Sequence, residues 1–263
     1  MITQDVRRRT QKCPLCKEPR DMIVNGHTFL KGDGSKVVVD TKKGYSFCNC
    51  RNIFFTNWSN MDQGSYDADY VNKYDNPIIL KHLKEYIDAY GNVIKKELNG
   101  KFYGKALEIG CIATPILDGL SDIGMKTYGL DIVEHNIEPH QFICGDFENF
   151  VKELDNGLGC FSLIWASHVF EHFRNPVLAV KKVKDLLLSG GLFFCAMPDP
   201  YFIDWKNPYQ WGHWHLKEHH VLWDMDSFVE VLEENGFEII FAKHNVGYDF
   251  VCIGDFHIMA RKK

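Results

Sequence analysis

The sequence predicts a doubly wound α/β domain with a seven-stranded, mostly parallel sheet, preceded by a small cysteine-rich module. Three observations carry this reading. Five apolar runs of strand length, at 105–109, 127–131, 141–144, 161–166 and 192–197, alternate with stretches of helical periodicity. Short apolar strands separated by helices are the pattern of a parallel sheet covered on both faces. Two further runs, 237–243 and 250–260, are separated by Asn245-Val246-Gly247 and are close enough to pair antiparallel at one edge. Finally, four of the nine cysteines fall in the first fifty residues, as Cys13-Pro-Leu-Cys16 and Cys48-Asn-Cys50, and the others are scattered singly through apolar stretches.

The cysteine-rich segment is expected to occupy residues 1–60 as a zinc-ribbon-like module. Cys13 and Cys16 have the two-residue gap that lets one turn point both thiolates at one ion, and Cys48 and Cys50 supply the second pair with a tighter gap, where His27 is the alternative ligand. Glycines at 26, 32, 34 and 44 around the run Val37-Val38-Val39 read as short strands joined by turns. So little core needs an external staple, and four cysteines leave no open coordination position, so the zinc is expected to be structural. Residues 61–100 form a helical connector. From Pro77 onward Ile78, Ile79, Leu83, Tyr86, Ile87 and Tyr90 recur at three- and four-residue steps, with proline in the first turn. Residues 101–263 form the main domain. In it, a helix over 176–188 stops at Ser189-Gly190-Gly191, and another over 224–235 is capped by Asp224 or Asp226 and closed by Gly236.

Composition narrows the function. The 263 residues are 45% hydrophobic, with 19 Phe, 11 Tyr and 6 Trp, which is enough to bury a large core. A formal charge of −5 provides no field for a polyanion, so nucleic acid is not the expected partner, and Arg7-Arg8-Arg9 reads as a solvated terminus. No segment approaches bilayer-spanning length, and the first ten residues lack the apolar core of a signal peptide. The expectation is a cytoplasmic protein whose cysteines are thiols or metal ligands.

In an open α/β sheet, ligands bind beyond the carboxyl ends of the strands, where the strand order reverses. The candidate cofactor contacts are therefore Glu108, Gly110 and Cys111 after the first strand, Asp131 and Ile132 after the second, Asp146 and Phe147 after the third, and Ser167 and His168 after the fourth. An acid about twenty residues past a strand-ending glycine is placed to bond both hydroxyls of a ribose, which fits Asp131. Asp146 offers an acceptor to an adenine amino group, and Phe147 offers an apolar surface. The plain alternative for both acids is capping of the turn that follows a strand.

The strings ALEIGC, YGLDI, CGDF and FSLIWASHVFEHFRNPVLAVKKVKDLLLSGGLFFCAMPDP occur in this order over about 150 residues. Together they resemble the class I S-adenosylmethionine-dependent methyltransferases. That resemblance implies the Rossmann-like fold, adenosylmethionine as cofactor, and Glu108 either orienting the turn or meeting the methionine ammonium. The family's first loop has further glycines where this chain has Ile112 and Thr114. A β-branched residue at φ > 0 is strained, so either the loop takes another course or the cofactor grip is altered. The absence of a G-x-G-x-x-G pyrophosphate cradle disfavours a dinucleotide.

On the acceptor side, Trp211 to His220 is rich in imidazoles and aromatics. Residues 215–237 are similar to the corresponding part of sugar C-methyltransferases, which also carry an N-terminal zinc-binding module and continue into a further C-terminal domain that these 263 residues do not include. By that resemblance Glu218 and His219 are the proton-handling pair, with His219 as the general base and His172 and Tyr70 beside the acceptor, a small polar metabolite of the sugar or nucleotide-sugar kind. His213, His215 and His219 are alternatively a metal set. His168 and His172, four apart, either share a helix face toward the site or pack a helix start. The competing reading is a non-catalytic scaffold whose zinc module holds a protein partner.

Overall fold

The computed structural model describes residues 10–21, 28–30, 36–38, 46–51, 53–55, 76–98, 104–149, 159–203, 211–213, 219–246 and 253–263. The cysteine-rich segment contributes three short hairpins. Strand β1 (Thr10–Lys12) pairs with β2 (Pro19–Asp21), β3 (Thr28–Leu30) with β4 (Lys36–Val38), and β5 (Ser46–Cys48) with β6 (Ile53–Phe55), all antiparallel. In the tight Cys13 turn, Lys17 N–H donates to Cys13 O and Cys13 N–H to Glu18 O, both at 3.0 Å, with Lys17 left-handed at φ 64°.

Helix α1 (Pro77–Glu97) starts where the sequence places it. Asn76 Oδ1 accepts from Ile78 N–H at 2.9 Å, and Pro77 occupies the first turn, where its missing N–H costs nothing. The apolar stripe of α1 buries Ile87, Tyr90 and Ile94 against the main sheet. That sheet contains β7 (Lys105–Ile109), β8 (Lys126–Asp131), β9 (Gln141–Cys144), β10 (Phe161–Ser167), β11 (Leu187–Pro198), β13 (Phe237–Val246) and β14 (Ile253–Lys262). Helices α2 (Pro115–Asp122), α3 (Pro176–Leu186) and α4 (Met225–Glu234) fill the connections. The strand order is β13-β14-β11-β10-β7-β8-β9, and β14 alone runs against the rest. This is the predicted doubly wound sheet, with strand order reversing between β7 and β10.

Helix α3 stops two residues before its expected end. Leu187 already pairs with Phe161, and Gly190 (φ 76°) and Gly191 lie inside β11, where its register against β10 shifts. A Cβ on Gly191 would press on Leu188 O at 2.9 Å and Phe161 O at 3.1 Å, so the glycines serve the irregular strand and not a helix stop. Helix α4 is capped by Asp224, whose Oδ1 accepts from Ser227 N–H at 3.2 Å, and the chain leaves it through Gly236 at φ 84°.

The core covers both faces of the sheet. One face packs Leu107, Ile109, Phe193 and Phe256 with α3 and α4, and the other packs Ala106, Trp165, Phe194 and Met259 with α1 and α2. Cys13, Cys48, Ile53 and Phe55 join the first of these clusters. A two-residue strand that gave no sequence signal, β12 (Val221–Leu222), pairs antiparallel with β6, and Arg51 reaches Glu230 and Glu234 of α4 at 2.6 and 2.5 Å. The cysteine-bearing hairpin is thus tied to the main domain by backbone, core and charge.

His257 of β14 is buried at 1% exposure and bonded through Nδ1 to the Tyr90 hydroxyl. Burial first, then the nearby His168 and Lys243 charges, lower its pKa to about 4, against the opposing pull of Asp255. The unfolded chain therefore takes up this proton first as the pH falls, so stability is lost between about pH 6.5 and 4, by about 3 kcal/mol in total. Urea titrations across that range are expected to show this loss, and His257→Gln is expected to flatten it.

Candidate active site

Elements of the switch point bring the strand tips together. After β7 the chain turns through Gly110 at φ 73°, and Gly110 N–H donates to Leu130 O at 2.8 Å. A Cβ on Gly110 would collide with the Val169 side chain, so glycine is required for space as well as for φ. Among the described residues only Lys17 and His168 have positive φ without being glycine. Ile112 is therefore unstrained, and Thr114 is right-handed at φ −81° where it leads into α2. The loop takes a course of its own that does not need the later glycines. Cys111 is buried beneath it, where Gly129 leaves room for its sulfur.

Glu108 is 5% exposed, and its Oε2 has no hydrogen-bond partner among the described residues. Burial, and then the Asp131 and Asp118 carboxylates, push its pKa well above the usual range. Ser167 Oγ, at the tip of β10, is likewise buried and unpartnered. Two orphaned polar atoms on the adjacent strands flanking the reversal are what a polar ligand would satisfy. Asp131 accepts from Val133 N–H at 2.9 Å, and burial raises its pKa. Ile132, beside it, is 39% exposed, an apolar surface next to Asp131. Asp146 caps its own turn, accepting from Glu148 N–H at 2.9 Å and Asn149 Nδ2 at 2.5 Å. The Phe147 ring is buried and stacks on Phe173 at 5.9 Å, and Lys182 pins the turn through Phe147 O at 2.7 Å.

Beyond β10 lies a connected set of imidazoles and carboxylates. His168 has φ 54°, a strain of roughly 1–3 kcal/mol for a side chain of this size. Its N–H donates to Ala196 O at 2.9 Å, and its Nε2 to Asp255 Oδ2 at 3.2 Å. Asp255 is fully buried. It also accepts from the Tyr86 hydroxyl at 2.9 Å and faces His213 Nε2 at 3.2 Å. Burial alone would raise Asp255, but the His168 and His213 charges hold it well below the carboxylate range. Burial would lower His168, yet Asp255 and Glu171 raise it. A turn of 3₁₀ helix, Phe170–His172, follows and buries Glu171. Around Glu171 Oε1 stand His168 Nδ1 at 3.5 Å, His172 Nε2 at 3.9 Å and His219 Nε2 at 4.0 Å.

His219 is placed by its neighbours. Its Nδ1 stands 2.9 Å from His213 O, and His220 N–H donates to Glu171 O at 2.7 Å just before β12 begins. His172 and His219 rings meet edge to face at 4.9 Å. Of the expected catalytic set, these two are brought together, and Glu218 and Tyr70 lie outside the described residues. The anticipated grouping of His213 with His219 divides, because His213 faces Asp255 and His219 faces Glu171; His215 lies outside the described residues. Glu171 and Asp255 were not singled out by the sequence. Glu171 sits inside the quoted HVFEH string, whereas Asp255 lies on an edge strand remote in sequence and gives no signal.

The four cysteines converge. Cys13 and Cys50 sulfurs are 3.7 Å apart, as are those of Cys16 and Cys48, and all four lie within 4.8 Å of one another. A tetrahedral zinc with bonds of about 2.3 Å sets its sulfurs about 3.8 Å apart, so the donor set and spacing fit that ion.

A family described as "Methyltransferase domain" matches residues 80–241. The ubiquinone biosynthesis O-methyltransferase of Glaesserella parasuis serovar 5 (strain SH0165) is 28% identical over 115 residues, covering 39% of this chain and 49% of that protein. Its counterpart in Shewanella halifaxensis (strain HAW-EB4) is 24% identical over 111 residues, covering 39% and 47%. The chain spans about half the length of these curated relatives. A solved S-adenosylmethionine-dependent methyltransferase from Archaeoglobus fulgidus superposes with a TM-score of 0.55 over 73% of this chain and 98% of that one, at 14% identity, a likeness of fold. No helix among the described residues is long and apolar enough to cross a membrane.

Proposed function

Because the chain belongs to the methyltransferase-domain family, we propose that it transfers a methyl group from S-adenosylmethionine to a small polar acceptor of the sugar or nucleotide-sugar kind. The observation that carries this reading is the pair of orphaned polar atoms, Glu108 Oε2 and Ser167 Oγ, at the two strand tips where the sheet order reverses. Bound adenosylmethionine supplies a methyl on a sulfonium, ready for displacement.

The residues present suit such a ligand. Asp131 takes the ribose hydroxyls, and Ile132 lies beside the base. Glu108 meets the ammonium, where its charge is worth most because burial has removed competing water. Gly110 lets the backbone approach closely. On the other side of the methyl, His219 takes the acceptor's proton on Nε2, the nitrogen facing Glu171, and that carboxylate favours the resulting imidazolium. His172 flanks the acceptor. The zinc-bound cysteines hold β6, and through β12 they hold the segment that carries His219.

Calorimetry with S-adenosylhomocysteine tests the reading. The expected result is binding that Asp131→Ala weakens by about 10²-fold, the loss of two hydrogen bonds to a charged group. Since Glu108 is protonated more readily than usual and an ammonium draws it back to the ionised form, binding is expected to release a proton and to strengthen as the pH rises through the Glu108 pKa. Glu108→Gln is expected to abolish that slope. Absence of binding at high ligand concentration overturns the reading and favours the scaffold alternative.

A further inference from the structure

We propose that Glu171, His172 and His219 hold a divalent first-row metal ion that binds an oxygen of the acceptor. The inference rests on the reading that the acceptor lies against this cluster. It gives the His219 Nε2 lone pair a second use, as a ligand in place of a proton acceptor.

The argument begins with Glu171. Its side chain is 1% exposed, and neither carboxylate oxygen has a hydrogen-bond partner among the described residues. Leaving a buried carboxylate bare costs several kcal/mol, so native structures pair such a group or place it on a metal. The neighbours that could pair with it are imidazoles, at 3.5, 3.9 and 4.0 Å from Oε1. Protonated imidazoles bonding a carboxylate close to about 2.7–2.9 Å. The observed separations are too long for that. Two atoms each about 2.1 Å from one ion stand about 3.0 Å apart at a right angle and about 3.4 Å apart in a tetrahedron, so an ion would draw His172 and His219 toward Glu171 from their 3.9 and 4.0 Å. The donor atoms of Glu171, His172 and His219 all lie within 4.8 Å of one another.

The support of His219 is of the kind that metal-bound imidazoles receive. With Nδ1–H donated to His213 O, the nitrogen on the carboxylate side is Nε2, 4.0 Å from Glu171 Oε1. His220 N–H on Glu171 O locks the two segments against each other. Two imidazoles and one carboxylate suit manganese, iron, cobalt or zinc, and three protein ligands leave positions open. An acceptor hydroxyl bound there loses its proton to water more easily, because the ion stabilises the resulting oxyanion. The neighbouring set of His168, His213 and Asp255 is different in kind. Asp255 accepts hydrogen bonds from His168 and Tyr86, so an ion pair accounts for it without a metal.

The test uses the full chain treated with a weak chelator under conditions in which metal analysis shows one zinc per chain retained by the cysteine cluster, and then titrated with manganese(II), an ion that thiolate clusters hold poorly. Electron paramagnetic resonance and calorimetry are expected to show about one bound ion per chain, with a rise in melting temperature on loading. Glu171→Gln and His219→Ala are expected to weaken binding by roughly tenfold or more. Glu171→Gln also serves as the folding control. It removes a buried charge whose nearest partner, His168 Nδ1, stands 3.5 Å away, while keeping the shape, so its ion-free melting temperature should stay close to that of the wild type. Failure of the wild type to bind manganese(II), or binding by Glu171→Gln with wild-type affinity, overturns the proposal. If chelator-stripped protein transfers methyl groups at the rate of the loaded protein and His219→Ala remains inactive, the metal is refuted and His219 as base stands. If S-adenosylhomocysteine does not bind, the methyltransferase reading falls on separate grounds.

Discussion

Alanine in place of His219 is expected to lower the rate of methyl transfer by about 10²- to 10⁴-fold while S-adenosylhomocysteine affinity stays at the wild-type level. The size is that of removing a positioned acid–base group or a ligand of the proposed ion. The separation of effects follows from position: His219 belongs to the segment that enters β12, and the strand tips that would grip the adenosyl group belong to β7, β8 and β10. Single-turnover rates and calorimetry on the same preparation check both halves. Loss of ligand affinity together with rate would mean that the substitution has disturbed the sheet, and an unchanged rate would remove His219 from the chemistry. The side chain is buried and touches Glu171 and His172. His219→Gln, which keeps most of the volume, is therefore the companion variant. It should restore stability without restoring turnover.

The second large effect is expected from loss of the zinc proposed for the four cysteines. Structural zinc contributes about 10–16 kcal/mol to small domains at neutral pH, and the short hairpins of this segment have little apolar area to replace it. Cys16→Ser is expected to abolish zinc retention at one equivalent per chain and to release β5 and β6. Because β6 pairs with β12, and Ile53 and Phe55 are buried in the main core, the damage should reach the His219 segment. The expected outcome is a fall in methyl transfer comparable to that of His219→Ala, with far-ultraviolet circular dichroism close to wild type because the main sheet persists. Zinc content measured after gel filtration, alongside activity, checks this. Full activity in a zinc-free Cys16→Ser protein would show that the module has no part in positioning.

The contrast between the two cofactor acids illustrates how far the residues could be read. Asp131 and Asp146 are both acids just past a strand, and sequence periodicity treats them alike. In the fold, Asp146 spends both oxygens on its own turn, whereas Asp131 sits half-buried near Glu108 with a raised pKa. The glycine-poor loop was similarly ambiguous. The course of the turn that leaves Ile112 unstrained is held by Gly110 and Cys111 N–H groups on Leu130 O, with Val169 lying against Gly110, contacts between residues apart in the chain. On the acceptor side, the HVFEH string pointed to the right turn, but the sequence singled out its histidines and passed over Glu171, which ends up at the centre of the cluster.

What the sequence by itself determined is the alternation of strands with helices and the mostly parallel direction of the sheet. Runs of buried apolar residues, turn glycines and helix caps act through neighbours within a few positions, so their effect is written locally. The helix start at Pro77, the cap at Asp224 or Asp226 and the antiparallel pairing of the last two long strands came from this level. Only the tertiary structure decided which polar groups share a site. Asp255 reaches His168 and His213 because β14 is inserted beside β11, and the cysteine hairpin reaches His219 through a two-residue strand too short to leave a periodic trace. Side-chain charge acts across space at a few ångströms, without regard to separation along the chain, and that is why the chemistry of this protein lies in its packing.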